Sequence, residues 1–434
     1  MSDFQQQALQ LAAQQRSPAW LGGLRAQAAV DWKNVVWPTR KTEHWKYTSL
    51  ASLQKSAFLF LDEEVSANES VLNDIEYIAL DAIRLVFVDG IFDAASSSNF
   101  NAEVVLFSQA NTKQQVVIEE HLGTVLYGEQ HLFATLNNAW VNDGVLVHVP
   151  RGQILSKPVY VVQMATRNTQ TFSVNQRLLV VLEENAQAEI IEHFISTMEQ
   201  QTSFVNALTE VVVSDNAQLH HYRLHLEEEN IQHVGAVHVN LLRNARFRGF
   251  TLALGSRLKR IDYQINHRGQ GAELDLQGVY LPRNSQMVDY HTNVQHWVPH
   301  CTTNEVFRGI IADSAHAIFN GRIYIHPLAQ KTIAELSNKN LLTSNKAEVN
   351  TKPELEIYAD DVKCAHGATI SQLNGGALYY LQSRGISRGE AEVMLSFGFI
   401  NELLQQVSDS AVRDYLLPRL AVLFGREQVL LDIE

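Results

Sequence analysis

The chain has 434 residues, of which 46% are hydrophobic and 19% charged, and its formal net charge is −13. That length allows about three domains with a sizeable core, and the fractions are those of a soluble globular protein. The acidic balance argues against nucleic acid or an anionic membrane as partner, since both call for a basic footprint.

The first residues, MSDFQQQALQLAAQQR, lack a basic stretch followed by an apolar one, so no secretory signal is expected and a cytoplasmic location is. No apolar run approaches the roughly 18 residues of a membrane span. The two cysteines, Cys301 and Cys364, lie far apart, with no CxxC and no zinc-ribbon spacing. A stable iron–sulfur cluster usually takes four thiolates. Any cluster this chain touches must therefore be completed by another protein.

In chain order, residues 3–29 read as helix after a Ser2 cap, with Phe4, Ala8, Leu11 and Ala12 at helical spacing. Pro18 interrupts, and Trp20, Leu21 and Leu24 begin a second short helix. The run PTRKTEHWKYTSL (38–50) reads as a solvated loop anchored by Trp45 and Tyr47. Residues 62–75 are acidic and polar, a surface connection, and 83–92 read as two short strands about an Asp89-Gly90 turn. Helical pattern returns over 114–140.

From about residue 141, apolar and polar residues alternate in short runs, and a repeat appears. The segments 178–194, 209–226, 238–254 and 263–281 each hold a strand, a polar turn ending in Asn-Ala or Gly-Ala, and another strand. The marker residues Ala186, Ala217, Ala245 and Ala272 are spaced by 31, 28 and 27 residues, and weaker copies occupy 313–325 and 345–359. A period of this size in strand-only units predicts stacked rungs, a parallel β-helix over 141–371. A β-sandwich with coincidental turn spacing is the alternative. Residues 1–140 then form an N-terminal helical and mixed domain, and 372–434 a C-terminal helical one. In the latter, Ser387 and Glu390 make a capping box, and a second amphipathic segment, 409–424, is bent or restarted at Pro418.

The segment HTNVQHWVPHC carries His291, His296, His300 and Cys301, with His316 and His326 beyond. On a strand His291 and His296 face opposite ways, and Pro299 disturbs the register to His300, so the spacing builds no single metal site. Each histidine reads as a polar rung residue or an interface hydrogen-bonder. Asn320-Gly321 reads as a tight turn. The chain has no P-loop, HExxH, GxSxG or EF-hand loop.

The most informative stretch is ADDVKCAHGAT (359–369). The alternation of PELEIY (353–358) brings the chain in extended, so Cys364 and His366 stand on one strand face. A soft sulfur beside a borderline nitrogen suits zinc, copper or iron. The plainer reading is a buried cysteine and a hydrogen-bonded histidine at a strand end.

Taken together, PTRKTEHWKYT (38–48), FRGI (307–310), FNGRI (319–323), AQKT (329–332), LEIYADDVKCAHGAT (355–369) and YYLQSRGIS (379–387) resemble the SufD family, over the whole chain and in order. That family is the scaffold subunit of the SUF iron–sulfur cluster assembly system of bacteria and plastids. The resemblance implies a right-handed parallel β-helix between helical regions and a non-catalytic subunit of an ATP-dependent complex. Its partners would be SufB, met through the C-terminal end of the β-helix, and the ATPase SufC, met through the C-terminal helices around Phe399 and Leu403. A homodimer is allowed without SufB. His366 would sit at the SufB interface and, supported by Cys364, serve nascent cluster formation and the uptake of iron. The isolated chain would stably bind no cofactor, and an iron–sulfur cluster or iron would be held only transiently, shared with SufB. Ala365, where the family often has Ser, is a non-ligating departure. Two other readings are a solenoid metalloenzyme built on 291–326 alone, and a structural brace in which His366 is inert.

Overall fold

The computed structural model describes residues 3–424 except 16, 55–57, 59–75, 99, 126–130, 167–170, 198–201 and 228. The expected Ser2 cap and the whole of the expected 62–75 connection lie outside these residues. The N-terminal helices are α1 (Asp3–Gln14) and α2 (Gly22–Asn34), separated by the break at Pro18. The pattern over 114–140 resolves into two helices, α3 (Thr112–His121) and α4 (Leu132–Trp140).

The described strands are β1 (Ile83–Val88), β2 (Ile91–Ser98), β3 (Val104–Leu106), β4 (Val145–Val149), β5 (Val159–Ala165), β6 (Phe172–Leu182) and β7 (Gln187–Ser196). They continue with β8 (Ser203–Val213), β9 (Gln218–His225), β10 (Glu229–Leu241), β11 (Arg246–Leu254), β12 (Ser256–His267) and β13 (Glu273–Leu281). The last six are β14 (Met287–His296), β15 (Thr302–Ile311), β16 (His316–Ile325), β17 (Ile333–Leu342), β18 (Glu348–Ile357) and β19 (Lys363–Gln372). Helices α5 (Gly375–Ser383), α6 (Arg388–Leu404) and α7 (Ser410–Leu423) close the described chain. The Ser387–Glu390 capping box is formed, and α7 runs through Pro418 without restarting.

From β4 onward, successive strands fall alternately into two sheets, and within each sheet neighbours are parallel. One wall runs β4, β6 and so on to β18, the other β5, β7 and so on to β19. This is a β-solenoid, and the parallel pairing removes the sandwich alternative. The walls also reach back past residue 141: β1 pairs in parallel with β5, and the hairpin partner β2 lies beyond it. Asp89 (φ 52°) and Gly90 (φ 87°) make the hairpin turn, as their sequence predicts.

The repeat markers are the corners of the coil. Asn185, Asn216 and Asn244 have φ of 60°, 57° and 54°, and Gly271 has 74°. Asn and Gly tolerate this left-handed region better than other residues, so a rung can turn there. The alanine that follows points into the coil, and Ala186, Ala217, Ala245 and Ala272 are all fully buried. A methyl is what fits where the two walls converge.

The coil interior is one continuous apolar cluster from Ile83 to Ala359. Each outer face is covered by helices. Phe4, Trp32, Phe133 and Trp140 pack on Phe204, Val234 and Leu258 of the even-numbered wall. Phe397, Ile400, Leu416 and Leu420 pack on Tyr222, Leu252 and Val279 of the other. The 38–50 segment straps the even-numbered wall. There Arg260 lies 3.8 Å over the Trp45 ring and donates to the His44 carbonyl, while Lys352 on β18 pairs with Glu43 at 2.7 Å. Trp45 is buried as expected, but Tyr47 is 42% exposed and anchors nothing in the core.

Asn320-Gly321 is not a turn. Both residues lie inside β16, paired with His291 and Thr292 of β14. The glycine is there for space, since a Cβ on Gly321 would meet the Leu336 side chain at 2.4 Å.

Candidate functional site at the open end of the coil

On β19, Cys364 pairs with Ala334 and His366 with Leu336. Ala334 and Leu336 are buried residues of the coil interior. Cys364 and His366 therefore occupy inward-facing columns, on one face, as the alternation predicts. As the expected end of the coil at 371 implies, β19 is the last rung. No further strand pairs with it among the described residues, so positions that are sealed in earlier rungs stand open. His366 is exposed, and Cys364 is half-buried against the interior cluster. Gly367 has nothing within 4 Å of where a Cβ would stand.

Burial raises the Cys364 thiol, with the Ala334 backbone pulling the other way. At neutral pH the sulfur is thus a thiol until a metal displaces its proton. One sulfur and one imidazole are compatible with ferrous iron or zinc, but they supply only half of a four-coordinate shell.

Among the described residues, the two terminal strands, β18 and β19, have no strand on their outer edges, and exposed apolar side chains flank them. Ile357 is 41% exposed, Tyr358 56%, Ile370 51%, and Tyr379 and Tyr380 on α5 75% and 57%. Open edges with apolar flanks are pairing surfaces.

The other nominated residues are placed less simply. Leu403 is 1% exposed and belongs to the cluster that seats the C-terminal helices on the coil, so it is a core residue and presents nothing to a partner. Phe399 is only partly buried, its carbonyl accepting from Arg308 at 2.6 Å. That bond explains part of the FRGI motif: Phe307 fills the interior, Arg308 reaches out to α6, and Gly309 leaves room for the Tyr280 ring.

In the histidine-rich segment, His291 faces Asp289 at 2.9 Å, His316 takes a bond from Asn350, and His326 stacks on Trp297. His296 alone of these turns inward and is fully buried. There it meets Cys301 and a histidine of the preceding rung, His267, so a metal-sized cluster forms only with a residue from outside the segment. The third member lies 29 residues earlier, beyond the reach of any spacing rule within the segment.

Sequence reading also missed Glu305, a fully buried carboxyl that burial pushes up to about 8. Its signal was parity, since Glu305 alternates onto the same face as the core residue Phe307.

Comparison with known proteins bears directly on this arrangement. The family model described as SUF system FeS cluster assembly, SufBD core domain, matches residues 164–399. The model of the SufBD protein N-terminal region matches 2–161. The chain belongs to the SufBD family. Its relatives include an iron–sulfur cluster assembly SufBD family protein of Synechocystis sp., 31% identical over 85% of this chain and 84% of the relative. The iron–sulfur cluster assembly protein SufD of Escherichia coli is 30% identical over 88% of each chain, and SufD of Bacillus subtilis 26% over 93% of each. The core model thus spans the solenoid from the end of β5 through Cys364 and His366 into α6, and the SufBD resemblance read from the motifs stands. Among the described residues no helix is long and apolar enough to cross a membrane.

Proposed function

We propose that this SufBD-family chain is a non-catalytic scaffold subunit of a cytoplasmic SUF complex, and that it offers the open end of its coil to SufB. The observation that carries the reading is the last rung, where Cys364 and His366 hold interior columns that no strand among the described residues covers. A second solenoid docked edge to edge would bury the apolar flanks and bring its own ligands to the two already there. Iron or a nascent iron–sulfur cluster is the cargo of such a shared site, held between the subunits. His366 is the ligand and Cys364 the supporting group. A neutral imidazole coordinates ferrous iron when its second nitrogen is oriented by a hydrogen bond. SufC, the ATPase, docks on the outward side of the C-terminal helices near Phe399; Leu403 has no part in that contact. Without SufB, the same edges allow a homodimer.

The test is His366→Ala, scored by in-cell complementation alongside size-exclusion of the complex. An exposed histidine at a rim contributes under about 1 kcal/mol to stability, so the complex should assemble while cluster formation collapses. Cys364→Ser should be milder. Full complementation by His366→Ala would reduce the residue to a structural brace.

A further inference from the structure

Two neighbouring rungs break the coil's own packing rule at one place. On the even-numbered wall, β10, β12, β14 and β16 end in one inward column, which reads Leu241, His267, His296, Ile325. Two imidazoles thus stand where the flanking rungs place aliphatic side chains. At the corner opposite, the buried column of Ala186, Ala217, Ala245 and Ala272 continues as Cys301, because Glu273 pairs with Thr302. Every one of these departures exchanges an apolar group for a metal-ligating one, and all three fall within two neighbouring rungs.

The three side chains converge. One ring nitrogen of each histidine and the Cys301 sulfur lie within 4.8 Å of one another, and all three residues are 0% exposed. The rings are stacked at 4.1 Å with 10° between planes. The Thr303 hydroxyl lies 3.0 Å from Nε2 of both, while Nδ1 of His296, fully buried, has no hydrogen-bond partner. Ligands around a zinc-sized ion stand roughly 3.4–3.8 Å apart, so side-chain rotations that close the trio by about 1 Å would suffice. A hydroxyl on the outer ring nitrogen is the kind of group that orients a ligating imidazole. The trio adjoins the corners that carry the exposed residues Gln270 and His300.

The other buried trio, His225, Glu227 and His233, differs in kind. Lys259 Nζ already lies 3.4 Å from Glu227, and a His233 ring nitrogen bonds the same carboxylate. That site holds its cation in the form of a side chain.

We infer that His267, His296 and Cys301 form a binding site for one thiophilic transition-metal ion of the zinc or ferrous-iron class, inside the coil and separate from the Cys364–His366 end. Binding forms one metal–sulfur and two metal–nitrogen bonds and releases the Cys301 thiol proton to solvent, leaving a position open to water.

Cobalt(II) is the probe, because a thiolate bound to it gives a near-ultraviolet charge-transfer band. The full chain, stripped with chelator, should take up one equivalent with that band and with tetrahedral visible absorption. Cys301→Ala installs the residue that the preceding rungs carry in this column, so the coil tolerates it, and the band should vanish with circular dichroism unchanged. His296→Leu, likewise the neighbours' type, should weaken cobalt affinity at least tenfold. The Cys364→Ser, His366→Ala double variant should keep the band. Persistence of the band in Cys301→Ala, its loss in the double variant, or no band at stoichiometric cobalt would each overturn the assignment.

Discussion

Glu305 and His366 stand in the same inward column, two rungs apart, with Leu336 between them. The column therefore runs from a sealed carboxyl to an open imidazole. Rungs stack about 4.8 Å apart, so a protonatable group lies about 10 Å behind the open end.

Burial pushes Glu305 up to about 8 from an ordinary 4.5, with the Thr292 hydroxyl pulling the other way. A raised carboxyl stabilises the fold fully below the unfolded value and loses that contribution as pH rises toward 8. The slope is at most about 1.4 kcal/mol per pH unit. Glu305→Gln keeps the shape and removes the titration. Urea unfolding at pH 5 and pH 8 should show the variant gaining on the parent by on the order of 2–4 kcal/mol between the two. Equal differences at both pH values would show that Glu305 ionises normally.

Trp45 and Tyr47 are neighbours in sequence and opposites in energetics. Trp45 is 7% exposed and lies under Arg260, whereas Tyr47 is 42% exposed. Trp45→Ala should cost about 3–5 kcal/mol, and Tyr47→Ala under about 0.5 kcal/mol. Denaturation midpoints of the two variants check this directly.

Leu403→Ala should cost about 2–4 kcal/mol, because the side chain is sealed against the coil. Tyr380→Ala, at a side chain 57% exposed, should change stability by less than about 0.5 kcal/mol. Thermal melting of both variants separates core from surface on the tail. Any loss of SufC capture in Leu403→Ala should follow unfolding and return at lower temperature.

Gly309→Ala should destabilise by about 1–3 kcal/mol. Its Cβ would lie 2.1 Å from the Tyr280 ring, whose hydroxyl is held by Asn338 and Asn340. The ring cannot easily give way. The Tyr280→Phe, Gly309→Ala double variant, free of that tether, should recover part of the loss in the same measurement.

The coil was legible because its corners are local. Asn216-Ala217 and Gly271-Ala272 announce a left-handed residue and a buried methyl within two positions, and their recurrence sets the rung length. Cys364 and His366 were legible as a same-face pair for a similar reason. Groups assembled across rungs were not. His267 meets His296 only through parallel stacking, Gly321 answers to Leu336 on the opposite wall, and Leu403 is sealed in a cluster with strand residues such as Val279 and Ile310. Amphipathic spacing shows that a helix has an apolar face, not whether its own domain or another covers it.

The two ends of the coil are not alike. At the N-terminal end β1 is covered by β2 and β4 by β3, both antiparallel, while no strand among the described residues covers β18 or β19. For coil-to-coil stacking, the molecule thus offers one bare end. A partner that takes the bare end with a bare end of its own leaves no parallel edge behind, so the assembly closes at a pair instead of growing into a fibre. The antiparallel direction of β2 and β3, two short strands, thus limits stacking at the end of the coil away from Cys364 and His366.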